Sequence, residues 1–492
     1  MHRLMHYGAS SGLSGYRHGV PPRPQRAAFD RCATGRGRRP ARCVLQCRPR
    51  VIVPPWHDRI RAGRAATRLR CGRYERHLRY YRYFHFRRSI HSGRRVMFLE
   101  RRLSDTFKEF IASGKAGGIV LIVCTMTSLV IANSAMGATY LEMWHFRLAG
   151  LSIEHWINDA LMAVFFLLIG LELERELYNG ELSDLKNALL PMLAAVGGIA
   201  VPALIHLAFN GGTPMQAGAG IPMATDIAFA LGVLALLGDR VPASLKIFLT
   251  ALAVIDDLCA IIVIGVFYTA NLSVPYLLGA LAVFAGLLAM NRLMRVMALL
   301  PYLLGGALMW FLMLKSGVHA TIAGVLLAFA IPYSARQDDA KSPSHRLEHA
   351  LHKPVTFLIL PIFALANTGI VIGAGWASEL LSSNSLGIIL GLVVGKPVGI
   401  LLFSFAAVAF GLCRLPADIA WRHVAGAGVL GGIGFTMSIF IANLAFPGSA
   451  EVVNASKMAI LLASLVAGVL GFACLKAVVN TGKPTSTSTS TS

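Results

Sequence analysis

The chain has 492 residues, 14% of them charged and 55% hydrophobic, with a mean hydropathy of +0.61. Soluble chains carry about 25% charged residues, so an ordinary soluble enzyme is excluded, and the many long apolar runs read as a polytopic membrane protein. The formal net charge of +22 resembles a nucleic-acid signal, but residues 1–96 carry +21 of it and the rest of the chain nets +1.

Residues 1–96 hold 24 arginines, no lysine and three acids, Asp30, Asp58 and Glu75. The segment has no helical period, no apolar run able to cross a bilayer and no apolar stretch of a secretory signal. Transit peptides and nucleic-acid-binding arms are also arginine-rich, but serine is sparse here and the absence of lysine is odd for a phosphate-binding arm. The segment is therefore read as disordered or as an over-extended translation start. Met97 of MFLERRLSDTFKEF then opens a membrane domain at 97–479, followed by a polar Ser/Thr-rich tail at 480–492. Of the eight cysteines, Cys32, Cys43, Cys47 and Cys71 lie in the leader, and Cys124, Cys259, Cys413 and Cys474 are scattered. That distribution suggests neither a disulfide framework nor a metal centre. No cofactor and no nucleic-acid partner is expected.

Beyond Met97 the sequence reads as an all-α polytopic membrane protein of twelve transmembrane helices, roughly 20 residues each. The spans fall near 113–134, 155–175, 187–209, 215–238, 244–270, 274–291, 296–314, 318–333, 354–373, 385–412, 423–446 and 455–477. With the N-terminus inside, eighteen cations fall on the inner side, Arg147, Lys315 and Lys457 on the outer side, and Lys396 within a span. This asymmetry satisfies the positive-inside rule and puts both termini in the cytoplasm.

Two spans carry helix breakers at their centres, GAGIPMATDIAFALG in 215–238 and GGIGFTMSIFIANLAF in 423–446. Aligning Thr225 with Thr436 sets Phe229 opposite Phe440. An offset of seven spans reverses orientation, so the pair reads as an inverted-topology repeat with two discontinuous crossing helices. The alternative is that the glycines only permit close helix packing. A mid-membrane break exposes unpaired N–H and C=O groups and the ends of half-helix dipoles. Such groups persist only when buried in protein or lining a wet cavity. A carboxylate and an ammonium would offset them; Asp226 lies beside the first break, and Lys396 sits in VVGKPVGI of the tenth span.

Asp256 and Asp257 stand in LTALAVIDDLCAIIVIGVFY, with apolar residues on both sides. A charge at the bilayer centre costs about 2.5–3.5 kcal/mol even on insertion scales, so two adjacent acids must face a cavity, pair with a cation or stay protonated. Carboxylate oxygens suit hard cations such as Na⁺ and Li⁺, by the reasoning that assigns oxygen ligands to Ca²⁺ and Mg²⁺. Two acids in a poorly solvated site also hold protons readily. Proton and alkali ion then compete for one site, which is the minimal physics of an exchanger.

At this point the residues resemble a family. From Met97 to about Val479 the chain is similar to the NhaA-type Na⁺/H⁺ antiporters of bacterial inner membranes, themselves a known instance of inverted-repeat transporters. The resemblance rests on GLELEREL, PMATDIAFALG, LAVIDDLCAI, KSGVHATIAGVLLA, LEHALHKPVTFLILPIFALANTG, GKPVGI and GGIGFTMSIFIANLAF together. It implies that Asp256 and Asp257 form the cation- and proton-binding pair, that Thr225, Asp226 and Thr436 belong to the broken-helix assembly, and that Lys396 is the functional membrane lysine. It further implies a transporter with no catalytic residue, carrying only Na⁺, Li⁺ and protons, with more protons entering than sodium ions leaving. Glu172, Arg175, Glu176, Glu348, His349 and His352 match positions tied to activation by alkaline pH, and His319 matches another. Two features depart from the family: Glu174 makes GLELEREL more acidic than the lysine-containing version, and the basic leader has no counterpart.

Several positions keep a second reading. Glu348 and His352 share a helix face, and histidine titrates across the physiological range, but the same residues also suit a simple helix entry at the headgroup level. His319 read alone is a core histidine. Asp159 either lines an entry funnel or bonds a neighbouring helix, and the second is preferred. Residues 136–152 read as an outer hairpin or a surface helix, available to lipid or to a homodimer partner. An intramembrane aspartyl protease is disfavoured because no G-x-G-D string occurs. A sodium-coupled anion symporter would need a cationic anchor besides Lys396.

Overall fold

A computed structural model of the chain describes residues 115–269, 272–334, 342–373 and 375–481. The basic leader and nearly all of the polar tail lie outside the described residues, as do the inner-side cations Arg101, Arg102, Lys108, Arg336, Lys341 and Lys483.

Helix α1 (Lys115–Ala132) is followed by the short α2 (Gly137–His145), and the pair is bent by 113°. A two-stranded hairpin follows, β1 (Arg147–Leu148) and β2 (Leu151–Ser152), with Arg147 opposite Ser152. Its two turn residues, Ala149 and Gly150, both have positive φ, 51° and 88°, the sign pattern that matches strand twist in tight hairpins. The segment 136–152 thus holds both a helix and a hairpin.

Next come α3 (Ile153–Asn179), π-helical at Ile157–Leu161, and α4 (Leu185–Asn210), which contains Pro191 and Pro202. A 3-10 segment (Pro214–Met223) and α5 (Ile227–Leu236) meet at a 42° bend. Then follow α6 (Ala243–Phe267), α7 (Val274–Arg292), α8 (Leu299–Ser316), α9 (Ile322–Ala330) and α10 (Pro343–Asn367). After α11 (Trp376–Leu380) and α12 (Ser383–Ala409), π-helical at Gly391–Gly395, helices α13 (Trp421–Gly431) and α14 (Phe435–Ala445) meet at 45°. The last helix is α15 (Ala450–Thr481).

Eight of these helices are long and apolar enough to cross a membrane, or up to eleven if each bent pair counts as one span. The expected span at 318–333 contains only the nine residues of α9, entered through a turn at Ala320–Thr321. The expected span at 354–373 begins earlier, because the polar PSHRLEHALHKP already forms the first turns of α10.

Burial separates centre from rim: 61% of the apolar stretch of α6 is buried against 11% of that of α7. With lipid tails as apolar as leucine, helices associate through close packing of small residues. A Cβ on Gly197 of α4 would strike the carbonyl of Gly399 in α12, and one on Gly399 would strike the carbonyl of Gly197. Gly324 of α9 has the same relation to the Ala163 carbonyl in α3. These contacts lock α4 to α12 and α3 to α9 around α6.

Candidate functional site

Helix α6 brings Asp256 and Asp257 to the protein interior, where they are 0% and 1% exposed. Successive helical side chains point about 100° apart, so the two carboxyls face different surroundings. Asp256 Oδ2 lies 2.9 Å from Lys396 Nζ and accepts from Thr225 Oγ1 at 2.8 Å. Lys396, itself fully buried on α12, also donates to the carbonyl of Met223. Asp256 Oδ1 and Asp257 Oδ1 are buried with no hydrogen-bond partner among the described residues.

The helix breaks meet beside this pair. Asp226 is the N-cap of α5, its Oδ1 accepting from Phe229 N at 2.9 Å. Its Oδ2 accepts from Thr436 N at 3.1 Å and from Thr436 Oγ1 at 2.6 Å, in the first turn of α14. One carboxylate therefore closes the positive ends of two half-helices, where anions are stabilising. The carbonyl ends have their own donors. Met223 O takes the lysine, and Ile433 O accepts from Asp226 N at 2.7 Å. Gly431 O lies 2.9 Å from the Thr225 hydroxyl. That hydroxyl has one hydrogen, so it serves Asp256 or Gly431 at any instant. Ser438 adds a tie to Ile221 O at 2.7 Å, and Gly432 is required because a Cβ there would strike Leu392 O.

A second polar group gathers where α3 meets α10. Arg175 pairs with Glu348 and, at 3.1 Å, with Glu176, while Glu172 lies within electrostatic reach of all three. His349 and His352 are exposed, and their side chains make no hydrogen bond or ion pair among the described residues. His319 is not part of this group. Its Nε2 lies 2.9 Å from Tyr268 O, near the far end of α6. Sequence reasoning missed three members: His345, 3.7 Å from Glu348, Ser344, which donates to buried Glu174 at 3.1 Å, and Tyr333, which accepts from Asn179 at 2.8 Å. The i, i+3 spacing of His345 and Glu348 was the available signal.

Two cavities flank the acid pair along α6. One of about 510 Å³ is lined by Glu176, Asn179, Asp184, Lys246 and Thr250. The other, about 690 Å³, is lined by Asp159, Tyr268, His319, Phe440, Asn443 and Lys457 among others. Asp159 lines this second cavity and lies 2.8 Å from His155 on its own helix rather than bonding a neighbouring helix.

The profile of the family described as Na⁺/H⁺ antiporter 1 matches residues 108–475. A Na⁺/H⁺ antiporter NhaA of Dechloromonas aromatica is 73% identical over 373 residues, covering 76% of this chain and 96% of the relative. An NhaA 1 protein of Flavobacterium johnsoniae is 57% identical over 384 residues, covering 78% and 100%. An NhaA of Mesorhizobium japonicum is 51% identical over 382 residues, covering 77% and 96%. With a buried acid pair, one member bonded to a lysine, where two broken helices meet, and with relatives this close along nearly their whole length, the chain belongs to the Na⁺/H⁺ antiporter family of the NhaA type.

Proposed function

We propose that the protein exchanges cytoplasmic Na⁺ or Li⁺ for external protons across the bacterial inner membrane, with Asp256 and Asp257 as the shared binding pair. The observation that carries this reading is the pair of unpartnered carboxylate oxygens, Asp256 Oδ1 and Asp257 Oδ1, buried between two cavities. Buried polar atoms are almost always hydrogen-bonded; a carboxylate kept without a donor is suited to a proton or a hard cation, which takes oxygen ligands. Lys396 supports the exchange. Its ammonium neutralises Asp256 when no metal ion is bound and is released from it when Na⁺ or a proton takes its place.

The resemblance to NhaA-type antiporters implies that more protons enter than sodium ions leave per cycle, so the exchange moves charge and the membrane potential drives sodium out. The full architecture we assign is twelve spans with both termini cytoplasmic, built as inverted repeats whose broken helices cross at Asp226. Asp226, Thr225, Thr436 and Lys396 compensate the half-helix ends there. The group at Arg175 and Glu348, with Glu172, Glu176, His349 and His352 nearby, sets activation by alkaline pH.

The test is proton flux in everted membrane vesicles. Adding Na⁺ should dequench a ΔpH-sensitive dye with the parent protein and leave it unchanged with Asp256→Asn or Asp257→Asn. Equal dequenching by both variants would refute the site.

A further inference from the structure

The larger cavity has walls of opposite charge. One wall is the start of α15: Ser449, Ala450, Asn454 and Lys457 line it, so the positive pole of a long helix and a lysine face the same space. The facing wall carries Glu154 and Asp159. Each of those acids has a histidine at hand, His145 at 3.7 Å from Glu154 and His155 at 2.8 Å from Asp159. His319, bonded to the Tyr268 carbonyl, completes the titratable lining.

Lys457 differs from all of these. It is only 7% exposed, and its side chain forms no ion pair or hydrogen bond among the described residues. Glu154 is the carboxylate whose field reaches it. An ionisable residue within a membrane-spanning helix is expensive, and its default reading is functional. Glu451, in the first turn of α15, is exposed and does not line the cavity. The nearest acid on the lysine's own helix therefore leaves its charge in place.

The cavity approaches the site along α14. Phe440 and Asn443 line it from α14, one and two turns beyond Thr436, whose hydroxyl holds Asp226. A cation leaving the acid pair by this route would cross a cavity lined by Glu154, Asp159 and Lys457.

We propose that Lys457 is a positioning charge for the exchange reaction: its ammonium keeps this cavity from retaining an alkali cation, so that sodium is released against a high concentration on that side. The inference rests on the exchange function and on the orientation in which this cavity faces away from the cytoplasm. A unit charge about 10 Å away, at an effective dielectric between those of a protein surface and of water, changes a cation binding constant roughly three- to tenfold.

The experiment uses everted vesicles, whose lumen corresponds to the outer face, loaded with graded NaCl and assayed for proton flux on adding Na⁺ to the bath. Lys457→Gln should make luminal Na⁺ inhibit at a concentration about three- to tenfold lower than in the parent, with the bath-side apparent KM for Na⁺ unchanged. Lys457→Arg, which keeps the charge, should behave as the parent. Unchanged luminal inhibition in Lys457→Gln would overturn the proposal, as would an equal change in Lys457→Arg or a change confined to the bath-side KM. Absence of any sodium-dependent flux in the parent would instead refute the exchange function itself.

Discussion

Replacing Lys396 by methionine tests the buried ion pair most severely. Methionine is close to the lysine stem in volume, so repacking contributes little. What is lost is the ammonium 2.9 Å from Asp256 Oδ2, together with the donor to Met223 O, in a place where both charged partners are 0% exposed. Removing one partner of such a pair costs about 3–5 kcal/mol, because the other is left as an uncompensated buried charge. At about 2 °C per kcal/mol for a large domain, the purified protein should melt roughly 6–10 °C lower, read by tryptophan fluorescence in detergent. The double variant Lys396→Met with Asp256→Asn should recover most of that loss, since neither charge remains. A single variant that melts within about 1 °C of the parent, or a double variant whose loss is the sum of the two singles, would refute the pairing.

Gly399→Ala should lower folded yield and melting temperature because its Cβ would strike the Gly197 carbonyl; Gly286→Ala, with open space around it, should be neutral and serves as the control. Thr225→Val keeps the shape but removes a hydroxyl 2.8 Å from Asp256 Oδ2. A bond to a charged group is worth about 1.5–3 kcal/mol, so apparent Na⁺ affinity should change at least tenfold, and an unaltered KM would contradict the contact. Glu348→Gln weakens the ties to Arg175 and His345. If alkaline pH activates by loosening this group, the variant should reach half-activation at lower pH with its maximal rate retained. A profile that superimposes on the parent would remove Glu348 from the pH response.

The acids and the breaks were legible because both violate a local rule. Asp256 and Asp257 are charges in an apolar run, and Pro222 and Gly432–Gly434 interrupt otherwise helical patterns. Their partners were not legible, since pairing across the fold leaves no mark on local periodicity. That Lys396 meets Asp256 depends on how α12 packs on α6, and that Asp226 meets Thr436 on how α5 packs against α14. Helix length was less legible than apolar composition: 318–333 is mostly apolar, yet His319–Thr321 form an irregular entry that leaves α9 short. The π-helical stretches at Ile157–Leu161, Val355–Ile359 and Gly391–Gly395 had no sequence signature at all. The seven residues assigned to the pH response were chosen by resemblance, and packing separates them. Arg175, Glu176 and Glu348 are in contact, whereas His319 lies against Tyr268 on the second cavity.

The account stands on competition between sodium and protons for Asp256 and Asp257, and that competition has a direct readout. Purified protein in weakly buffered detergent solution should release protons when Na⁺ is added, and the double variant Asp256→Asn, Asp257→Asn should release none. Saturable sodium binding with no accompanying proton release by the parent would contradict it.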